Sequence, residues 1–187
     1  MSPRLLPLFL KLEGRAVLVV GAGSVAERKI EDLVDAGAHV RVVAKEATTG
    51  VRELADAGRV ELSLRAFAPA DLDGAWLCFA ATSDAEAQAL VARTAEARSV
   101  FCVAIDDLPN TSAYSASVIR RDPFTIAISS SGAAPALSRL LREVLEQALP
   151  DQGFVEAATA LRARWRAEGT PMASRFGELV RAFKARV

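Results

Sequence analysis

Short apolar runs alternate with amphipathic stretches along the first hundred or so residues of the chain. The runs lie at 17–20, 39–44, 60–67, 75–82 and 99–105. Aliphatic and β-branched runs of this length are typical of strands in a parallel sheet that is covered on both faces. Most of the segments between them have helical spacing. The pattern therefore predicts an α/β fold with a Rossmann-type parallel sheet.

The pattern changes after residue 113. Two apolar runs, 114–121 and 124–129, follow each other with only a turn between them, and a helix with one leucine-rich face comes next and ends at Pro150. We predict three parts: an NAD-binding Rossmann domain over 1–113, a small α+β dimerisation region over 114–150, and a helical C-terminal region over 151–187. Two strands and one helix make a poor independent core. A homodimer that pairs the middle region would complete that core.

A glycine-rich turn joins the first strand to the first helix. Gly21, Gly23 and Ala26 fill the three positions of a G-x-G-x-x-G/A motif, whose small residues let a backbone approach a pyrophosphate and a helix pack on its strand. Ser24 and Glu27 have the spacing of a capping box. The motif predicts a dinucleotide site, and a tight turn without a ligand is the alternative. The expected contacts are Gly21, Gly23, Ser24, Val25 and Ala26.

The tips of two later strands add candidate cofactor contacts. Lys45 and Glu46 follow the second strand, where an acidic residue binds the ribose hydroxyls of NAD and a basic one meets the 2′-phosphate of NADP. These residues leave both cofactors open. Thr82 and Ser83 follow the fourth strand and are candidates to face the cofactor, although capping of the next helix, by Ser83 or Asp84, explains them as well.

Composition narrows the function classes. The formal net charge is zero, so the chain offers no electrostatic case for nucleic acid or a membrane surface. No apolar run is long enough to span a membrane, and the first residues lack the apolar segment of a secretory signal, so we expect a cytoplasmic protein.

Cys78 and Cys102 lie in apolar runs and are expected to be buried and reduced. With His39 as the single histidine, no metal site is expected, and acid–base chemistry falls to carboxylates, tyrosine, lysine or hydroxyls.

Five sequence blocks, in order, resemble the precorrin-2 dehydrogenase/sirohydrochlorin ferrochelatase family, the module of siroheme synthase. The blocks are 6–10 (LPLFL), 19–29 (VVGAGSVAERK), 80–84 (AATSD), 101–106 (FCVAID) and 126–143 (IAISSSGAAPALSRLLRE). The resemblance implies NAD-dependent oxidation of precorrin-2 to sirohydrochlorin, often followed by Fe²⁺ insertion to give siroheme. It also implies a dimer with an intertwined middle region. A dehydrogenase without chelatase activity and a non-enzymatic dinucleotide sensor are the alternatives.

The resemblance also implies site residues. Asp106 matches the family's central aspartate and is the candidate base, with the adjacent Asp107 as the competing assignment. The chain departs from the family at Val103, where asparagine is frequent. The substrate is a polycarboxylate, so its pocket should offer cations and N–H donors. Candidates are Ser129, Ser130 and Gly132 in the turn before the leucine-rich helix, with Arg120 and Arg139. Solvated surface arginines are the alternative for the last two.

Overall fold

A computed structural model describes residues 4–149 and 151–184 of the chain. These residues form two compact units, one ending at Ser115 and the other beginning at Ala116. The first unit contains β1 (Ala16–Val20), α1 (Ser24–Asp35), β2 (His39–Ala44), α2 (Thr49–Asp56), β3 (Val60–Leu64), β4 (Leu77–Ala80), α3 (Ala85–Ala97) and β5 (Phe101–Ala104). Short 3₁₀ turns at Pro69–Leu72 and Leu108–Asn110 complete it.

The five strands of the first unit form one parallel sheet in the order β3-β2-β1-β4-β5. Val17 and Val19 of β1 pack on one face with Ile30 of α1, while Leu18 of the same strand packs on the other face with Val91 of α3. This two-sided burial is the reason that the strands are almost continuously apolar. The predicted Rossmann-type sheet is confirmed. Its strand order reverses between β1 and β4, where ligands bind in such sheets.

Several strands are shorter than the apolar runs that predicted them. β3 ends at Leu64 rather than at Phe67, and β4 spans Leu77–Ala80 rather than 75–82. The residues at the carboxyl ends of these runs form loops instead of sheet ladders. Phe67 and Ala81, in the loops after β3 and β4, are partly buried against the core without pairing in the sheet, so their hydrophobicity does not mark them as strand residues.

The outer edge of β5 is covered by the chain that follows it. The amide of Cys102 donates to Ser112 Oγ at 2.8 Å, and the amide of Ala104 donates to Thr111 Oγ1 at 3.0 Å. In return, the amide of Ala113 donates to the carbonyl of Cys102 at 3.0 Å. Side-chain hydroxyls thus satisfy two amides of this edge strand that no neighbouring strand pairs.

The two cysteines face each other across the sheet. Cys78 of β4 is the register partner of Cys102 of β5, and both side chains are buried, free thiols. The hydrogen bond with Cys102, and then burial, raise the pKa of the Cys78 thiol. The expectation of reduced cysteines in the core is confirmed, and so is the placement of His39 at the start of β2.

The second unit contains an antiparallel pair, β6 (Ser117–Arg121) and β7 (Phe124–Ile128), followed by three helices. The helices are α4 (Pro135–Ala148), α5 (Gln152–Ala167) and α6 (Met172–Lys184). The predicted strand pair and the leucine-rich helix are both present. Pro150, predicted as the end of that helix, lies outside the described residues.

The leucine-rich side of α4 is only partly covered by the described chain. Its five apolar side chains are between 39% and 55% exposed, and they are Leu137, Leu140, Leu141, Val144 and Leu145. We call them the α4 apolar face. Only Ser138 of the described part of this helix is fully buried. Exposed apolar side chains on one helical stripe are unusual for a helix in a complete core.

Candidate functional site

A cavity of about 1120 Å³ opens in the first unit at the carboxyl ends of the strands. Its walls come from the 21–26 turn, from the loops that follow β2, β3 and β4, and from the two residues that follow β5. All of the predicted cofactor contacts line it: Gly21, Gly23, Ser24, Val25, Ala26, Lys45, Glu46, Thr82 and Ser83. Asp106 lines it as well. The sheet therefore brings together predicted site residues that are as much as 85 positions apart in the sequence, counted from Gly21 to Asp106.

The glycine turn has the geometry of a pyrophosphate cradle. Gly21 has φ +110°, and a Cβ there would lie 2.2 Å from the carbonyl oxygen of Ala81. A Cβ on Gly23 would meet no atom within 4 Å, so it would point into open space. Ala26 is fully buried on the side of α1 that packs against the sheet. The first position thus serves the fold, and the second keeps the cavity clear for a ligand backbone.

The N-terminus of α1 carries no side-chain cap from any described residue. Gly23 is the N-cap, so Ser24 is the first helical residue and the predicted Ser24–Glu27 capping box is wrong. Glu27 instead accepts a hydrogen bond from Thr48, a partner 21 residues away that local spacing does not reveal. The uncapped amides and the positive end of the helix dipole therefore face the cavity, and they fit a dinucleotide pyrophosphate.

The loops after β2 and β4 meet through an ion pair. Lys45 Nζ lies 3.2 Å from Asp84 Oδ2, with both side chains largely exposed. Asp84 also caps α3, since its Oδ1 accepts from the amide of Ala87 at 3.1 Å. That backbone hydrogen bond, and then Lys45, lower the pKa of Asp84. Of the two predicted caps, Asp84 is the one that forms, and Ser83 lines the cavity beside it.

Asp106 lies in the turn after β5, in a left-handed conformation with φ +56°. Its side chain is exposed at the cavity, and no hydrogen bond or ion pair of its carboxylate occurs within the described ranges. Asp107 is engaged elsewhere, because its Oδ2 accepts from Asn110 Nδ2 at 2.7 Å. It is not one of the residues that line the cavity. A carboxylate with unused oxygens at the cavity can accept a proton.

Gln88 holds the turn that presents Asp106. Its Nε2 donates to the carbonyl of Ile105 at 2.9 Å and lies 3.5 Å from Asp107 Oδ2. The residue is only 6% exposed, and its Oε1 has no partner among the described residues. Sequence reasoning missed Gln88. The signal was a polar residue on the stripe of α3 that otherwise buries Val91, Ala92 and Ala95.

The cavity extends past the predicted residues toward Arg65 and Phe67 after β3 and Leu90 and Arg93 on α3. Arg65 is oriented by Asp71, to whose carboxylate it donates two hydrogen bonds, at 2.6 and 2.8 Å. Those bonds are the main cause that lowers the pKa of Asp71. These residues follow no motif that the sequence displays.

The predicted substrate contacts all belong to the second unit. The turn before α4 holds Ser131 and Gly132 in left-handed conformations, at φ +53° and +78°. The hydroxyl of Ser129 accepts from the amide of Ser131, and that of Ser130 accepts from the amide of Ala134. The turn is thus ordered by its own serines, before any ligand is considered.

The arginines of the second unit differ in their surroundings. Arg139 pairs with Glu143 at 2.9 Å and is largely exposed, and Arg120 is exposed on β6. Arg121, next along the strand, donates to the carbonyls of Leu149 and Glu146 at the end of α4. Arg120 is exposed and Arg121 is half-buried, since successive residues of a strand point to opposite faces.

Within residues 4–149 and 151–184, no group of three or more histidine, cysteine, aspartate or glutamate side chains is arranged to hold a metal ion. None of the helices in those ranges is both long enough and apolar enough to cross a membrane.

Two family models match the chain. Residues 8–117 match the model described as putative NAD(P)-binding, and residues 121–148 match the model described as sirohaem biosynthesis protein central. The first covers more than half of the chain and coincides with the sheet and the cavity. The prediction that this part of the chain binds a nicotinamide dinucleotide is confirmed.

Relatives with similar sequences are siroheme synthases. Siroheme synthase 3 of Aeromonas hydrophila subsp. hydrophila is 45% identical over 91% of this chain and 37% of that protein. Siroheme synthase of Sodalis glossinidius is 44% identical over 86% of this chain and 34% of its own length. Siroheme synthase 2 of Yersinia enterocolitica is 47% identical over 77% of this chain and 30% of that protein. The chain thus spans about a third of the length of these relatives.

A solved structure shares the fold. That of SirC, a precorrin-2 dehydrogenase, superposes with a TM-score of 0.77 over 95% of this chain and 88% of that one. The two sequences are 20% identical. The match confirms the predicted succession of a parallel sheet, a small antiparallel pair and C-terminal helices.

Proposed function

Because the chain belongs to the precorrin-2 dehydrogenase/sirohydrochlorin ferrochelatase family, whose NAD(P)-binding and central regions residues 8–117 and 121–148 match, we propose that it oxidises precorrin-2 to sirohydrochlorin with NAD. One observation carries the proposal. The exposed carboxylate of Asp106 and the uncapped N-terminus of α1 line the same cavity. A phosphate-binding turn and a proton acceptor are what an NAD-dependent oxidation requires of a protein.

The residues around the 21–26 turn would hold the cofactor, which when bound supplies an acceptor for hydride. The amides at the start of α1 would bind the pyrophosphate, while Thr82 and Ser83 would flank it. Glu46 would accept hydrogen bonds from the ribose hydroxyls. The ion pair of Lys45 with Asp84 already compensates part of the lysine charge, which favours NAD over NADP because a 2′-phosphate would have to compete with that carboxylate.

Asp106 would act as the base. Oxidation removes two hydrogens from the macrocycle, one as a hydride and one as a proton, and the carboxylate of Asp106 would take the proton. Two features support this residue over Asp107. The oxygens of Asp106 have no partner in the described chain, whereas Asp107 accepts from Asn110. The left-handed turn that Gln88 holds directs Asp106, and not Asp107, to the cavity wall.

We further propose that the second unit contributes to substrate binding and to assembly. Ser129, Ser130, Gly132, Arg120 and Arg139 would supply N–H donors and cations for the substrate carboxylates. The α4 apolar face supports a homodimer through residues about 114–150, since burying it against a second copy would remove five partly exposed side chains from water. In the proposed domain organisation, residues 1–113 form the Rossmann domain, 114–150 the dimerisation region and 151–187 the helical region.

Insertion of Fe²⁺ into sirohydrochlorin is the finer part of the proposal. Iron would be a substrate, and the two pyrrole N–H protons that it displaces would pass one at a time to Asp106, which would release each to solvent before taking the next. The two buried free thiols, Cys78 and Cys102, fit an enzyme of the reducing cytoplasm.

The decisive experiment is anaerobic incubation of the purified protein with precorrin-2 and NAD, followed by Fe²⁺ or Co²⁺, with absorbance as the readout. We expect a spectral change on adding NAD. Asp106→Asn, which keeps the shape and tolerates the left-handed φ, should slow that change by about 100-fold or more. Asp107→Asn should slow the spectral change far less than Asp106→Asn does.

Each other outcome contradicts a named part of the proposal. No spectral change with the wild type, together with normal NADH binding, would indicate a dinucleotide sensor. If metal insertion is no faster than in the protein-free blank, the protein is a dehydrogenase without chelatase activity. A full oxidation rate in Asp106→Asn would show that the base assignment is wrong.

A further inference from the structure

Glu27 connects α1, which begins at the cofactor cavity, with α2, which follows the cavity-lining loop after β2. It lies in the first turn of α1, yet its Oε2 accepts a hydrogen bond from Thr48 Oγ1 at 2.6 Å. Thr48 is the N-cap of α2, and the same hydroxyl accepts from the amide of Val51 at 3.3 Å. A half-buried carboxylate on one helix thus fixes the capping hydroxyl of the next.

Backbone contacts reinforce this connection. The amide of Thr48 donates to the carbonyl of Ala22, inside the glycine turn, at 3.0 Å. The amide of Gly21 donates to the carbonyl of Val43 near the end of β2 at 2.9 Å. The glycine turn and the loop after β2 therefore form one hydrogen-bonded unit, with the Glu27–Thr48 contact as its side-chain component.

Gly50 shows that the approach of Glu27 is close. A Cβ at Gly50 would lie 2.1 Å from Glu27 Oε1 and 2.7 Å from its Cδ. The φ of Gly50 is not in the left-handed region, so the conformation of this residue does not call for glycine. The missing side chain leaves room for the carboxylate against the first turn of α2, where the positive end of a helix dipole favours negative charge.

The loop held in this way carries the residues that face the cofactor ribose. Lys45 and Glu46 lie between the last residue of β2 and Thr48, and both line the cavity with exposed side chains. The described contacts of these side chains include only the exposed ion pair of Lys45 with Asp84, which solvent screens. The position of the loop backbone, rather than side-chain packing, therefore places them.

We propose that Glu27 is a positioning residue for the dinucleotide. Through Thr48 it fixes the 45–48 loop relative to the glycine turn, so that the ribose-facing and pyrophosphate-facing groups hold one ligand at the same time. The inference rests on the proposed function only in that the cavity binds NAD. Glu27 itself does not face the ligand, because it is absent from the cavity wall.

The test is fluorescence titration of the full chain with NADH and, in parallel, with NADPH, in the absence of any tetrapyrrole. Glu27→Ala should raise the Kd for NADH about tenfold and shrink the ratio between the two Kd values. Glu27→Gln keeps an oxygen acceptor for Thr48 and should stay within about threefold of wild type. Glu31→Ala, which removes an exposed carboxylate four residues further along α1, is the matched control and should change neither Kd.

Thr48→Val provides a second route to the same contact. If Glu27 acts through Thr48, the double variant Glu27→Ala/Thr48→Val should bind NADH no more weakly than the worse single variant. The losses of binding free energy from two residues that act through one contact do not add. Additive losses would contradict the proposal. At saturating NAD, the oxidation rate of Glu27→Ala should remain within about twofold of wild type, which separates positioning of the cofactor from a defect in chemistry.

Two failures are distinguishable. If wild-type protein does not bind NADH, the proposed function itself is overturned. If wild type binds NADH and Glu27→Ala binds it equally well, or if Glu27→Ala loses no more than Glu31→Ala, only the role of Glu27 is overturned. A loss of thermal stability in Glu27→Ala with an unchanged Kd has the same meaning, since the contact would then serve the fold alone.

Discussion

Replacing each glycine of the 21–23 turn by alanine separates what the fold needs from what the cofactor needs. At Gly21 the new Cβ would lie 2.2 Å from the carbonyl oxygen of Ala81, and the backbone would have to keep φ +110°. The unfavourable φ costs about 1–2 kcal/mol. Overpacking against a backbone atom adds about 1–3 kcal/mol. Gly21→Ala should therefore lower the free energy of unfolding by about 2–5 kcal/mol.

At Gly23 the same methyl group would meet nothing. The residue has φ −80°, and no atom lies within 4 Å of the added Cβ. The loss of a favourable N-cap residue costs up to about 1 kcal/mol. The methyl would instead occupy the space through which a pyrophosphate approaches the helix. Gly23→Ala should keep most of the stability and weaken NADH binding by at least about tenfold, or about 1.4 kcal/mol.

The assay is thermal unfolding by circular dichroism, together with NADH titration. At about 2–4 °C per kcal/mol for a chain of this size, Gly21→Ala should lower the Tm by about 4–20 °C, and Gly23→Ala by less than about 4 °C. Gly58→Ala is the control, since its φ of +67° is left-handed but its Cβ would touch nothing within 4 Å. Gly58→Ala should lower the Tm only by the amount that a left-handed φ costs alanine, without a steric clash of the added Cβ. A wild-type Tm for Gly21→Ala, or a wild-type Kd for Gly23→Ala, would refute the reasoning.

Two further predictions concern association and pH. A half-exposed Leu140 leaves about 1 kcal/mol of apolar burial unused in the single chain, so Leu140→Glu with Val144→Glu should convert a dimer to a monomer in analytical ultracentrifugation, and an unchanged mass would exclude the α4 apolar face as the interface. Arg65 lowers the pKa of Asp71, so their pairing stabilises the fold above the ordinary aspartate pKa near 4 and is lost as pH falls through the lowered value. Asp71→Asn should therefore lower the Tm at pH 7, and the difference should shrink as the pH falls below the ordinary aspartate pKa and Asp71 becomes protonated; a difference that persists at low pH would point to packing instead.

The sheet was predictable from the sequence because its signals are local. Apolar runs identified all five strands, and the glycines placed the turn between β1 and α1. The partner of Glu27 was not predictable. Spacing pointed to Ser24, but the carboxylate is taken by the hydroxyl of Thr48 from another element. A residue on a helix surface bonds to whatever the tertiary fold brings near it, and the sequence does not contain that distance.

The choice between Asp106 and Asp107 shows the same limit at the site. Both follow one strand, and both are equally acidic by type. The left-handed turn at Asp106 and the amide groups of Gln88 and Asn110 separate them, and these depend on how α3 packs beside β5. The α4 apolar face is the complementary case. Periodicity found the stripe correctly, but it does not tell whether the same chain or a second copy covers it.

The hydroxyls of Thr111 and Ser112 along β5 have a consequence for solubility. An edge strand with open amides is a template on which a strand from another molecule can grow. Here two of those amides are already occupied by side chains of the next segment, so the sheet cannot be extended at that position without first displacing it. Polymerisation through this edge of the sheet is thereby disfavoured.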